Sequence, residues 1–405
     1  MAGRTTMAVS TPQGLSGQLD YVGYYAFNYA PSALLPSAVS LGMPMRIKPY
    51  EDNELMSIFQ MNLPEGHMLE MLQQRFGKMK TLDPMLLLAM SGAQASIGRV
   101  AVSSPEFTPS AVMGVKLSEV LADQGTSDVF QDLADAYLIR SVISGMQPKL
   151  LVPEQADAVS GKALLPPQEL IVKTESAHFP GLAINEYICM SIARQAGIPV
   201  PEFFLSADGK RFVMRRFDRT RAGAPIGFED MAVLCGLNAR SKYRLSYEQV
   251  AQIVSAYCSV EHRPAALAQL FDQVALSVLV GNGDAHLKNF GVTYENPSEA
   301  VVKMSPAYDI ACTTCYFPSD VLALTLNHQR CLKVAERDLE AFGRSSCKVA
   351  DPLDRITRLV EAMHRVMHAE SDRIDQVTNL RQCLESSLAR FDALVAGQTS
   401  SLAGR

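Results

Sequence analysis

Basic charge is not in surplus in this chain of 405 residues: 37 Lys and Arg stand against 42 Asp and Glu, a formal charge of −5. A protein that grips nucleic acid along its backbone needs a cationic face. Any phosphate bound here must therefore be held by a few residues in a cleft. Long apolar runs are also missing. No stretch reaches the roughly 20 consecutive apolar residues of a membrane span. The opening residues, MAGRTTMAVSTPQGLSGQLDY, contain no apolar run of signal-peptide length. The expectation is a soluble, cytoplasmic protein with no membrane partner. Paired cysteines are scarce: of eight, only Cys312 and Cys315 form a C-x-x-C. A structural zinc site wants four ligands, and no second pair lies at a suitable spacing, so the cysteines read as reduced thiols. No repeat of solenoid length occurs.

What is present is ample core-forming material. Apolar residues make up 48% of the chain, which excludes wholesale disorder, and the length suits two or three domains. Residues 1–18 read as a loose tail of Ser, Thr, Gly and Pro. From 19 to 130 the pattern is mixed: an aromatic strand-and-turn segment at 21–31, apolar residues at helical spacing in ELMSIFQMNL and HMLEMLQQRFGKM, and a strand in IGRVAVSS. From 131 to 220 strands dominate. ELIVKT (169–174) is a buried strand carrying one Lys, and residues 181–201 form a helix stopped near Gly197 and Pro199. Asp208–Gly209 between two apolar runs marks a β-hairpin. Residues 221–395 read as helical, including FEDMAVLCGL, SYEQVAQIVSAYC and ALAQLFDQVALSVLV, with Val377, Leu380, Leu384, Leu388, Phe391 and Leu394 along one face. Residues 396–405 read as a second tail. The expected class is α+β, with a strand-rich and a helix-rich lobe.

Chemistry gathers in GNGDAHLKNFGV (281–292), which follows the apolar run VALSVLV. Asp284 and Asn289 are spaced D-x-x-x-x-N, the interval at which a kinase catalytic loop places a base and a magnesium ligand on either side of the transferring phosphoryl group. Twenty residues beyond Asn289, SPAYDIA supplies Asp309 as a second metal carboxylate. Upstream, Lys173 has the setting of a strand lysine for phosphates, and Glu186 on the next helix is positioned to orient it by an ion pair. SGMQPK (Ser144, Gly145, Met146, Gln147, Pro148, Lys149) is a small-residue turn able to offer backbone N–H groups to phosphate. A similar turn, SGAQASIG (91–98), lies much farther from Lys173 and reads as structural. Each residue has a plainer reading. Lys173 could be an edge charge, Glu186 a solvated helix residue, Asp284 a cap, Asp309 a turn anchor and His286 a loop anchor. Such readings leave the order of the set unexplained. His364 and His368, an i, i+4 pair without a third ligand, read as a helix surface.

In SGMQPKLLV, NEYICMSIARQAGIPVPE, RFVMRRFDR, FEDMAVLCGL, GNGDAHLKNFGV and SPAYDIA, the chain resembles the HipA family of bacterial serine/threonine kinases, toxins of type II toxin–antitoxin modules. The resemblance runs from about residue 20 to 395 and is weakest over the first 130 residues. It implies a bilobal protein-kinase-like fold with a small N-terminal mixed α/β subdomain and a helical C-lobe. It makes Asp284 the base and Asn289 and Asp309 the Mg2+ ligands. Lys173 and residues 144–149 would contact the phosphates of ATP. Arg215, Arg216 and Phe217 would form the hinge beside adenine, and His286, Leu287, Lys288 and Tyr308 would line the nucleotide site. Ser144, with Ser141 as fallback, is the residue at which autophosphorylation would switch the kinase off. The implied partners are a HipB-like helix-turn-helix antitoxin, DNA only through that antitoxin, and a protein substrate such as an aminoacyl-tRNA synthetase. The H-R-D, D-F-G and G-x-G-x-x-G of ordinary protein kinases are absent. Two other readings stay open: a small-molecule phosphotransferase of the antibiotic or choline kinase type, and a non-enzymatic antitoxin-binding co-repressor.

Overall fold

A computed structural model of the chain describes residues 5–76, 82–91, 96–107, 113–122, 129–138, 147–155, 168–299 and 301–403. The chain divides into two compact units. One takes in Met1–Thr174, Ser206–Arg240 and Thr293–Val301; the other takes in Glu175–Leu205, Ser241–Val292 and Val302–Arg405. The two units are interleaved along the chain.

The first unit opens with an antiparallel sheet in the order Tyr50–Asp52, Tyr25–Tyr29, Gly14–Tyr21, Thr5–Thr11, Ala101–Ser103. Residues 5–18, expected as tail, are strand instead. Thr5–Thr11 alternates, burying Met7, Val9 and Thr11, and such alternation is what a half-buried strand requires. Gly17 permits the close pairing of this sheet, since a Cβ there would lie 2.0 Å from the Asn28 carbonyl oxygen.

A second antiparallel array in the same unit runs Lys149–Pro153, Glu169–Thr174, Arg211–Arg215, with Lys149 opposite Lys173 and Lys173 opposite Phe212. The Asp208–Gly209 turn is present, Gly209 at φ 71°, with Ser206 N donating to Arg211 O at 2.9 Å. The segment FEDMAVLCGL departs from its helical expectation: Gly227–Asp230 is a strand and only Met231–Leu234 is helix. The physical reason lies in two side chains. Asp230 caps the short helix by accepting from Val233 N at 2.9 Å. Glu229, fully buried, accepts from Ser40 Oγ, Leu41 N and Tyr294 Oη.

The second unit is mainly helical. Ser246 and Gln249 form a capping box that starts the helix Tyr247–Tyr257. The helix Arg263–Val280 carries Pro264 in its first turn and is buried through Leu270, Phe271, Val274 and Leu276. The helix Pro352–Ala369 packs against Leu182–Gln195, Arg263–Val280 and Leu380–Ala403. The last of these takes in positions 396–403, expected as tail. No helix among the described residues is long and apolar enough to cross a membrane.

Candidate active site

The apolar helix Arg263–Val280 ends because Gly281 adopts φ 71°, a left-handed conformation that costs other residues steric strain. Asn282 N then donates back to Ser277 O at 2.8 Å. Two residues on, Gly283 N donates to Thr313 Oγ1 at 2.7 Å, and Thr313 Oγ1 is hydrogen-bonded to Asp320 Oδ2. Thr313 N and Thr314 N both donate to Gly281 O. The loop that carries Asp284 is thus tied to residues 313–320 by its own backbone.

Asp284 is the exposed member of an otherwise buried loop, its side chain 51% accessible. Tyr243 Oη donates to its Oδ1 at 2.8 Å, and His286 Nε2 is 4.0 Å from its Oδ2. Burial of its surroundings pushes the Asp284 carboxyl above the usual value, and Asp309 and Asp320 add to this, while the Tyr243 hydroxyl and the Lys242 ammonium pull the other way. His286 is buried, its Nδ1 without a hydrogen-bond partner. Burial, with the nearby Lys242 charge, lowers its pKa to about 3, so it is neutral at pH 7.

Asn289 stands on a short 3-10 turn, Leu287–Asn289. Its Oδ1 accepts from His286 N at 2.9 Å and its Nδ2 donates to Asp309 Oδ2 at 3.0 Å. Asp309 sits at φ 60°, a conformation uncommon for a residue with a side chain and characteristic of functional sites. Tyr308 Oη donates to Lys288 O at 2.7 Å, joining the two segments again. Leu287 is buried and serves packing. The far end of the Asp309 segment is clamped by Asn185. Its Nδ2 donates to Cys312 O at 2.9 Å and to Cys315 Sγ, and its Oδ1 accepts from Cys312 N at 2.8 Å. The Cys312 thiol is pushed up to about 12, chiefly by its hydrogen bond with Cys315, so the C-x-x-C pair is part of this clamp in thiol form.

The donor set suits a magnesium ion. Asn289 Oδ1 has a second lone pair beyond the one His286 N uses, and Asp309 offers a carboxylate beside it. Mg2+ is commonly held by one or two protein oxygens together with substrate phosphates. Among the described residues no group of three or more His, Cys, Asp or Glu could hold a metal by itself.

The structure therefore brings together Asp284, His286, Lys288, Asn289, Tyr308 and Asp309. Lys149 and Lys173 stand directly opposite one another in the first unit, both buried. Gln147 Nε2 donates to Thr174 O at 3.1 Å, and Pro148 O accepts from Thr174 N. Ser141, Ser144, Gly145 and Met146 lie outside the described residues. Glu186 is buried on the helix Leu182–Gln195 of the second unit. The residues expected at the hinge are all engaged within the protein. Arg215 pairs with Glu154 through two hydrogen bonds, and Arg216 is buried between Glu169 and Asp218 and donates to Ser96 O. Phe217 packs edge-on against Phe228.

Sequence reasoning missed Tyr243, Lys242, Thr313, Asp320 and Asn185. The first four have no motif spacing to Asp284. Asn185 was passed over inside a helix whose periodicity drew attention only to its apolar residues.

Comparison with known proteins places these features. A solved structure of HipA from Shewanella oneidensis MR-1, in complex with HipB and operator DNA, superposes with a TM-score of 0.60. The match covers 96% of this chain and 95% of that one at 18% identity. The fold is α+β and protein-kinase-like. The model of the HipA N-terminal domain matches residues 7–103, and that of the HipA-like C-terminal domain matches residues 141–370. The chain belongs to the HipA family. A relative named "Putative kinase Y4dM", from Sinorhizobium fredii (strain NBRC 101917 / NGR234), is 27% identical over 348 residues, 80% of this chain and 79% of that protein. A similarly named protein of Haemophilus influenzae is 32% identical over 206 residues, 45% of this chain and 57% of that protein.

Proposed function

We propose that the chain is a HipA-type kinase that transfers the γ-phosphoryl group of ATP, with Mg2+, to a serine or threonine hydroxyl of a protein, and so arrests growth as the toxin of a toxin–antitoxin pair. The observation that carries this reading is Asp284. It is an exposed carboxylate on a rigid loop, one oxygen engaged by Tyr243, with the Asn289–Asp309 pair bonded together on the adjoining segments. Asp284 would accept the hydroxyl proton as the acceptor oxygen bonds to the γ-phosphorus and ADP departs. Mg2+ held by Asn289 and Asp309 would offset the charge of the β- and γ-phosphates. His286, neutral at pH 7, organises the loop and does not carry the proton.

A translation protein such as an aminoacyl-tRNA synthetase is the proposed substrate, as the resemblance to the family implies. The solved HipA that shares this fold was captured with HipB and operator DNA, so a small helix-turn-helix antitoxin is the proposed partner and DNA is reached through it. The test is transfer of label from γ-labelled ATP in the presence of a cell extract. Label on protein, lost with Asp284→Asn, is expected. Label found only on small molecules would favour a small-molecule phosphotransferase instead, and no transfer at all would favour the antitoxin-binding co-repressor.

A further inference from the structure

The segment Ser241–Arg244 lies about forty residues before the catalytic loop and carries no recognised motif. It is nevertheless bound to that loop at three points. Leu287 N donates to Lys242 O at 3.2 Å, the Tyr243 ring stands edge-on to His286 with centroids 5.3 Å apart, and Tyr243 Oη donates to Asp284 Oδ1 at 2.8 Å. The segment is itself anchored, since Arg330 Nη2 donates to Tyr243 O at 2.9 Å. The tyrosine is 39% exposed, so its phenol reaches the carboxylate from the solvent rim of the site.

From this geometry we infer that Tyr243 is the positioning residue of the candidate base: its hydroxyl holds Asp284 Oδ1 and leaves Oδ2 as the oxygen that receives the acceptor proton. The inference rests on the kinase reading for its catalytic consequence, but the hydrogen bond has a consequence of its own. A donor to the ionised carboxylate favours that form. Around Asp284 the other charged or titratable groups are Lys242 on the same segment as Tyr243, His286 and Lys288 on its own loop, Asp309 and Asp320 on the following segments, Arg330 behind Tyr243, and the buried Tyr247. Of these, Asp309 and Asp320 oppose ionisation, so removing the phenol leaves them less opposed.

The experiment uses the full chain and Tyr243→Phe, which keeps the ring against His286. Two readouts are taken: the Asp284 carboxyl pKa by carbon-13 NMR without nucleotide, and kcat and KM for ATP across pH. The expected result is a higher Asp284 pKa, an acid limb of kcat/KM moved to higher pH, kcat lowered about ten-fold, and KM for ATP within about two-fold. An unchanged thermal midpoint would show that folding is not the cause. An unmoved carboxyl pKa together with kcat within about two-fold of wild type overturns the inference. If the carboxyl pKa shifts while the wild type transfers no phosphate, the hydrogen bond's role stands and the kinase reading falls; if neither is seen, both fall.

Discussion

Asp284 and His286 are two residues apart, and burial disfavours the charged form of both. The carboxyl at the rim is raised above its usual value by burial and its acidic neighbours, and Tyr243 and Lys242 counter part of that rise. The imidazole is buried and neutral. Asp284→Asn keeps the shape and removes the proton acceptor. Phosphoryl transfer should fall by at least about a hundred-fold, while ATP affinity by calorimetry stays near that of the wild type. For His286 the sign is fixed by its depressed value. The unfolded chain takes up its proton near pH 6.5 and the folded one near 3. His286 therefore contributes stability above about pH 6.5 that is lost progressively as pH falls toward about 3. Denaturation series at pH 7 and pH 5 should show this loss, and it should disappear with His286→Gln if that variant folds.

At the scale of elements, the loop that carries Asp284 is held by contacts that leave no room. A Cβ on Gly283 would lie 2.1 Å from Asp320 Oδ2 and 2.7 Å from Val321 O. Gly283→Ala must displace residues 320–321 or the loop itself, and should cost roughly 1–3 kcal/mol by denaturant titration, with transfer activity falling further than stability accounts for. The Asp309 segment offers a complementary test. Asp309→Ala should weaken ATP binding in Mg2+ and leave the metal-free affinity little changed, read by calorimetry with and without EDTA. We propose residues 144–149 as a regulatory element, as the family resemblance implies. A phosphate on Ser144 adds about −1.5 to −2 charges, so Ser144→Asp should weaken ATP binding, and mass spectrometry after incubation with ATP and Mg2+ should find phosphate on Ser144 or Ser141.

The whole molecule depends on charge pairs buried inside the first unit. Burial alone would raise the Asp218 carboxyl, but Arg216 and Arg219 outweigh it and hold the value at about 2. Gly98 N and Ser96 O complete the cluster, joining residues far apart in the chain. Removing Arg216 leaves Asp218 and Glu169 to share Arg219 alone, so Arg216→Ala should cost up to about 3 kcal/mol, measured by chemical denaturation at pH 7. The family resemblance implies an adenine hinge at the same residue; the Glu169 carboxylate on the Arg216 guanidinium, distant in the chain, was not legible there.

The amino-acid sequence by itself determined what depends on near neighbours in the chain. The Asp284–Asn289 interval and the Asp208–Gly209 turn are short-range features, and each was legible as spacing or turn chemistry. The alternation in Thr5–Thr11 was equally local, yet it was masked by Ser, Thr and Gly until pairing with Gly14–Tyr21 gave its buried face a sheet to join. Tertiary structure alone decided which distant groups complete the site. Tyr243 is 41 residues from Asp284, and Asn185 is 127 from Cys312. Hydrogen bonds over such separations impose no periodicity on the chain between them. They exist because apolar packing of the helices fixes where each backbone runs, and a polar side chain brought to that place must then find a partner.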